Sequence, residues 1–135
     1  MMEAIILAGG LGTRLANIVT DVPKPMAPIA NKPFLEILLD YLSASNVTKV
    51  IFATAYKSEV IQKHFKEKYK NIDLSYAVAN EPLGSGGQAK DGLKISTHED
   101  VIIMNGDTFF EINLNKMMDF HKKNKSDFTM AVRKS

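Results

Sequence analysis

Four short segments of the chain gather residue types suited to handling phosphate. The first is Leu7-Ala8-Gly9-Gly10-Leu11-Gly12-Thr13-Arg14, at the exit of an apolar run. Its glycines let backbone amides approach an anion closely, and Arg14 offers a guanidinium fork for phosphate oxygens. It is neither of the two best-known phosphate loops. A P-loop ends in Gly-Lys-Ser/Thr, where Thr13-Arg14-Leu15 stands here, and a dinucleotide fingerprint needs a third glycine where Leu15 sits. Glycines also serve tight strand exits, so the segment alone leaves both readings open. The second is Val22-Pro23-Lys24-Pro25-Met26, in which two prolines stiffen the backbone around Lys24. A preorganised cation is useful where negative charge grows in a transition state. Taken alone, an exposed lysine in a rigid connector accounts for it better.

The third segment, Met104-Asn105-Gly106-Asp107, ends another apolar run. One carboxylate with phosphate oxygens and water is a common Mg²⁺ arrangement, which makes Asp107 a metal candidate. The alternative is a plain Asn-Gly-Asp turn. The fourth is Asn80-Glu81-Pro82-Leu83-Gly84-Ser85-Gly86-Gly87-Gln88. Proline and glycine make a rigid loop, and free amides lie at the start of the next helix. The Glu81 carboxylate can accept two hydrogen bonds. Guanine offers two adjacent donors, N1–H and the N2 amino group, so Glu81 is a candidate for reading that base. A turn with a solvated glutamate is the plainer reading.

These segments must be carried by regular elements. Residues 3–7, 48–54, 73–79, 101–105 and 127–132 read as strands, and 101–105 as a buried one because it is a continuous apolar run. Residues 33–45, 58–69 and 113–124 read as helices from their apolar spacing, and 85–95 can be a helix despite three glycines. Ser58 offers a simple N-cap. Val60, Ile61, His64, Phe65 and Tyr69 share one face of the second helix, and Leu114, Met117, Met118 and His121 point inward from the fourth. Strict alternation of strand and helix predicts a Rossmann-like three-layer α/β/α sandwich around a mostly parallel sheet. Residues 18–32 break the pattern. They hold three of the five prolines, so they form neither a regular helix nor a central strand. In such sheets ligands bind beyond the carboxyl ends of the strands, where the strand order reverses. If the chain runs outward through its second and third strands and returns beside the first, Asp107 faces the glycine-rich loop.

Composition bounds the rest. At 135 residues, 45% hydrophobic and 24% charged, the chain suits one ordinary folded domain. Zero cysteines exclude disulfides, cysteine-based zinc sites and cysteine nucleophiles. A net charge of +2 is too small for a dedicated nucleic-acid or membrane-surface binder. The apolar residues 4–11 are too short for a membrane span and lack a basic flank, so the expected location is the cytoplasm. His64, His98 and His121 have no metal-ligand spacing, and the lysine-rich stretches 63–70 and 121–125 read as solvated faces. Tyr56 and Lys57 follow the second strand but read better as ordinary loop residues than as site residues.

Taken jointly and in this order, Leu7 to Leu15, Pro23-Lys24-Pro25-Met26, Glu81 to Gly87 and Gly106-Asp107 resemble the sugar-1-phosphate nucleotidylyltransferases. The combination Glu-Pro-Leu-Gly-Ser-Gly-Gly is most similar to the guanylyltransferase branch. The resemblance implies a nucleotide-diphospho-sugar transferase fold. Residues 1–135 would then be a single nucleotide-binding domain, the N-terminal part of a longer catalytic domain truncated on its C-terminal side. It implies GTP and a sugar 1-phosphate as substrates and Mg²⁺ as cofactor. The heptose D-glycero-α-D-manno-heptose 1-phosphate follows from likeness alone, since no residue here reads one sugar over another. The implied nucleotide-binding residues are Leu7, Ala8, Gly9, Gly10, Gly12, Thr13, Arg14, Glu81, Leu83, Gly84 and Ser85. Arg14, Lys24 and Asp107 are the implied catalytic residues, with Asp107 on the metal. The family's second metal-binding aspartate and most sugar contacts lie beyond this length, so a catalytically incomplete nucleotide-binding module is the alternative. A flavin mononucleotide site fits the fold but leaves Lys24 and the Glu81 loop unexplained. Homo-oligomerisation is compatible with the apolar surface a partial domain would expose.

Overall fold

A computed structural model describes residues 1–9, 26, 28–29, 32–55, 57–81 and 83–132. In chain order the described elements are β1 (Met2–Ala8), β2 (Pro28–Ile29), β3 (Lys32–Pro33), α1 (Phe34–Ala44), β4 (Val47–Thr54), α2 (Ser58–Phe65), β5 (Lys68–Tyr69), β6 (Ile72–Val78), α3 (Gly84–Ile95), β7 (Ile102–Asn105) and α4 (Leu114–Lys123). Among the described residues five strands form one sheet in the order β5-β6-β4-β1-β7, and β2 pairs with β3. β1 is parallel to both β4 and β7, β4 is parallel to β6, and the short β5 is antiparallel to β6. The chain therefore moves outward from β1 to β6 and returns on the far side of β1, which meets the condition set for bringing Asp107 toward the exit of β1.

β1 is apolar on both faces because both are covered. Ala4, Ile6 and Ala8 pack with Leu35, Leu38, Leu39 and Leu42 of α1, Ile61 and Phe65 of α2, and Leu114 of α4. Ile5 lies in a second cluster with Ile51 and Ala53. There Gly92 of α3 lies so close that a Cβ would come within 2.7 Å of Ile5 Cγ2. Three helices thus cover one face and α3 the other. The α1 leucines recur at the spacing of a single helical stripe, and each contributes roughly 1.5–3 kcal/mol by leaving water. Phe52 stacks between Phe65 and Tyr76, with ring centroids 5.7 and 5.5 Å away.

Several expectations need correction. The helix expected over 58–69 stops at Phe65, because Lys66 turns to a φ of 59° and Lys68 and Tyr69 pair with Asp73 and Ile72. The hairpin turn between them holds Lys70 at a φ of 52°. His64 is consequently at the rim, 3.1 Å from Glu36 Oε1. Ser58 does not cap α2. Lys57 occupies that position in a left-handed conformation, and Ser58 Oγ lies 2.7 Å from Thr54 Oγ1 and accepts from Gln62 Nε2. β7 is not a buried strand. It borders only β1 among the described residues, and Ile103 is 42% exposed. Residues 127–132 form no strand, since their alternating pattern finds no neighbouring strand among the described residues.

Candidate functional site

The parallel sheet brings the carboxyl ends of β1, β4, β6 and β7 to one edge. Leu7 and Ala8 close β1, and Gly9 follows, buried. Beyond β7, the Gly106 amide donates to the Leu7 carbonyl at 2.9 Å, which ties the Gly106-Asp107 turn to the exit of β1. Beyond β6, the Ala79 amide donates to the Thr54 carbonyl at 2.8 Å, so the chain toward Glu81 leaves alongside β4. Strand order therefore brings Leu7-Ala8-Gly9 and the Gly106-Asp107 turn together where the winding reverses between β1 and β7, with the fourth segment at the same edge beyond β6.

Asp107 is exposed, and its Oδ1 accepts from Thr108 Oγ1 at 3.0 Å. The strap that follows is fastened to α1. Tyr41 donates its hydroxyl hydrogen to the Ile112 carbonyl, accepts the Ile112 amide at 3.1 Å, and meets Phe109 edge-on. Among the described residues no cluster of three or more His, Asp or Glu is positioned to hold a metal ion. Asp107 supplies a single hard carboxylate oxygen donor set at the strand end, which fits Mg²⁺ sharing its shell with phosphate oxygens and water.

Glu81, Leu83, Gly84 and Ser85 are all exposed at the mouth of α3. Gly84 has a φ of +71°, a conformation that a side chain would strain. A Cβ on Gly87 would meet Leu83 Cβ at 2.6 Å, so the loop folds over the first turn only with glycine there. Gly10, Gly12, Thr13, Arg14 and Lys24 lie outside the described residues. Met26, just after the Pro23-Lys24-Pro25 motif, is buried in the main core.

Two residues escaped the sequence reading. Gln88 is buried and its Oε1 accepts the Gly9 amide at 3.0 Å. A polar residue on the sheet-facing side of a glycine-rich helix was the available signal. Glu3, fully buried in β1, accepts from the Thr97 and His98 amides at 3.1 Å and lies 3.3 Å from Lys49 Nζ. Burial pushes its carboxyl pKa up, but the His98 and Thr97 amides and Lys49 outweigh it, so the pKa lies below the ordinary value. A charged residue opening an apolar strand was the signal for it. With Gln88 near one end of α3 and Glu3 at its exit, the helix is fixed to β1 at both ends.

A parallel sheet wound outward from its first strand, with glycine-rich segments at the switch point, is the architecture of nucleotide-binding α/β proteins. Over residues 3–135 the chain matches the Nucleotidyl transferase family, and it belongs to that family. It is 47% identical over 132 residues to the D-glycero-alpha-D-manno-heptose 1-phosphate guanylyltransferase of Aneurinibacillus thermoaerophilus, covering 98% of this chain and 57% of that protein. The protein of the same name from Campylobacter jejuni is 48% identical over 98% of this chain and 58% of its own length. Among solved structures, HddC from Yersinia pseudotuberculosis complexed with GMP-PN superposes with a TM-score of 0.78 at 38% identity, covering 90% of this chain and 54% of that one. The chain thus spans somewhat more than half the length of these relatives. No helix among the described residues is long and apolar enough to cross a membrane.

Proposed function

We propose that the protein carrying this chain is a guanylyltransferase that joins GTP to a sugar 1-phosphate, giving a GDP-sugar and pyrophosphate. An oxygen of the sugar phosphate attacks the α-phosphorus in line, and the bond from that phosphorus to the β-phosphate's bridging oxygen breaks. The observation that carries this reading is the meeting of the Gly9, Glu81 and Asp107 segments at one sheet edge, with Gly106 bonded to Leu7. The guanine assignment rests on Glu81, whose carboxylate matches N1–H and the N2 amino group. Its support is the guanylyltransferase name carried by relatives at 47% and 48% identity. Those names also support D-glycero-α-D-manno-heptose 1-phosphate as the sugar.

In this reading Leu7, Ala8, Gly9, Gly10, Gly12 and Thr13 shape the phosphate cradle. Leu83, Gly84 and Ser85 flank base and ribose. Arg14 and Lys24 neutralise charge on the triphosphate and the departing pyrophosphate. Asp107 holds Mg²⁺, which when bound polarises phosphoryl oxygens and offsets their charge. No protein nucleophile is needed, because catalysis is positioning plus charge neutralisation.

The test is thermal stability with Mg²⁺ and each of GTP, ATP, CTP, UTP and dTTP. A ligand at 100 times its Kd stabilises by about 2.7 kcal/mol. GTP alone is expected to raise the melting temperature. A shift with another nucleotide would overturn the base, and no shift with any would overturn the site. In the intact protein, Lys24→Ala and Asp107→Ala are each expected to lower turnover by roughly 10²-fold or more with the fold retained. Normal turnover in either removes the role given to that residue.

A further inference from the structure

Gly9 begins the glycine-rich segment, yet its own amide is already engaged. The donor points at Gln88 Oε1, 3.0 Å away, in a buried bond between residues 79 positions apart. A Cβ on Gly9 would come within 3.1 Å of Gln88 Cδ and 3.3 Å of the Thr54 carbonyl carbon. The Gly9 backbone does not have the positive φ that would itself call for glycine. The glycine is there because Gln88 and the end of β4 press against it. Gln88 lies one turn into α3, directly behind the exposed Leu83, Gly84 and Ser85. The helix cannot slide, because its exit is bonded to buried Glu3.

We propose that Gln88 is a positioning residue that sets the departure of the glycine-rich segment from β1, and so couples the base-facing loop to the phosphate-facing one. The proposal rests on the nucleotide-site reading given above. Gly9 then serves the triphosphate through the direction it gives the chain, and not by donating its amide. A buried amide left without an acceptor is costly, so losing the Gln88 oxygen frees Gly9 to move and loosens everything downstream. Guanine, held by the loop ahead of α3, should not sense the loss.

The experiment compares wild type with Gln88→Met and Gln88→Glu in the intact protein. Methionine keeps the length and removes the acceptor, while glutamate keeps an acceptor oxygen. Amide hydrogen exchange at Gly9, read by NMR without nucleotide, is expected to quicken about tenfold in Gln88→Met and to return toward wild type in Gln88→Glu. Affinity of Gln88→Met for GTP with Mg²⁺ is expected to fall about tenfold while its affinity for guanosine stays level. Equal losses for GTP and guanosine would reveal a merely structural role and overturn the proposal. So would an unchanged Gly9 exchange rate, or an unchanged GTP affinity alongside a deprotected Gly9. If wild type binds neither guanosine nor GTP, the nucleotide-site reading falls and takes the proposal with it, whatever Gly9 exchange shows.

Discussion

Gly86 and Gly92 belong to the same helix and meet opposite surroundings. Apart from its chain neighbours and the backbone of its own helix, no described atom lies within 4 Å of the place a Cβ would take on Gly86, whereas on Gly92 it would enter the Ile5 side chain at 2.7 Å. Gly92→Ala should therefore overpack the sheet-facing side of α3 and cost about 1–3 kcal/mol. Gly86→Ala should gain up to about 1 kcal/mol from helix propensity. Urea denaturation of both variants checks the pair, and a Gly92→Ala protein as stable as wild type would show that α3 can lift away from β1. From sequence Gly86 and Gly87 stand alike, both in the glycine-rich start of the helix over 85–95. Only the packing separates Gly87, which makes room for Leu83, from Gly86, which meets nothing described.

At the scale of elements, polar anchors decide where the helices and hairpins sit. Asp40 of α1 receives Lys32 from β3, Lys70 at 2.7 Å from the hairpin turn, and the Tyr69 hydroxyl of β5 at 2.8 Å. Burial pushes the Asp40 carboxyl pKa up, but Lys32, Lys70 and Tyr69 overcome it and hold the group well below the carboxylate range. Glu3 is lowered in the same sense. A depressed folded pKa means the unfolded chain binds more protons in acid. The stability these groups contribute is present above the ordinary values of 3.8 and 4.5 and is lost as pH falls through the folded ones. Glu3→Gln should flatten that acid limb, measured by thermal melts from neutral pH downward, and an unaltered slope would sink the assignment. Glu3→Ala should cost roughly 2–4 kcal/mol, since it strands Lys49 and two backbone amides. The periodicity that marks β1, α1 and β4 was legible because each has a long apolar pattern facing the core. The end of α2 was not, because Val60, Ile61 and Phe65 suit a helix while Tyr69 leaves it for Asp40, a partner from another element. Residues 127–132 misled for the converse reason: alternation marks a strand only where another strand offers its hydrogen bonds.

Viewed as a whole, the described sheet has one hairpin-protected edge at β5 and one bare edge at β7. Ile103 on that edge is exposed, and so are Phe109, Phe120, Phe128, Met130 and Val132 after it in the chain, Phe128 to 73% and Val132 to 76%. Unpaired strand edges with apolar neighbours invite pairing. The 135-residue chain should therefore sediment with a coefficient that rises with concentration, and Phe128→Ser with Met130→Ser should suppress the rise. Monomeric behaviour of the unmodified chain across the range would refute this. The meeting of the Gly106-Asp107 turn with β1 was legible once the chain is taken to wind outward and return beside its first strand. Gln88 and Glu3 were not, because their partners Gly9, Thr97 and His98 are distant in sequence and carry no signature of their own. The bond from Gly106 to Leu7 also orders events in time. On a translating ribosome β1 emerges before β4 and β6, and β7, its other neighbour, emerges after all three. Until then the nascent protein can assemble β1, β4 and β6 but not the switch point, so it passes through synthesis with the edge that gathers the strand ends half built.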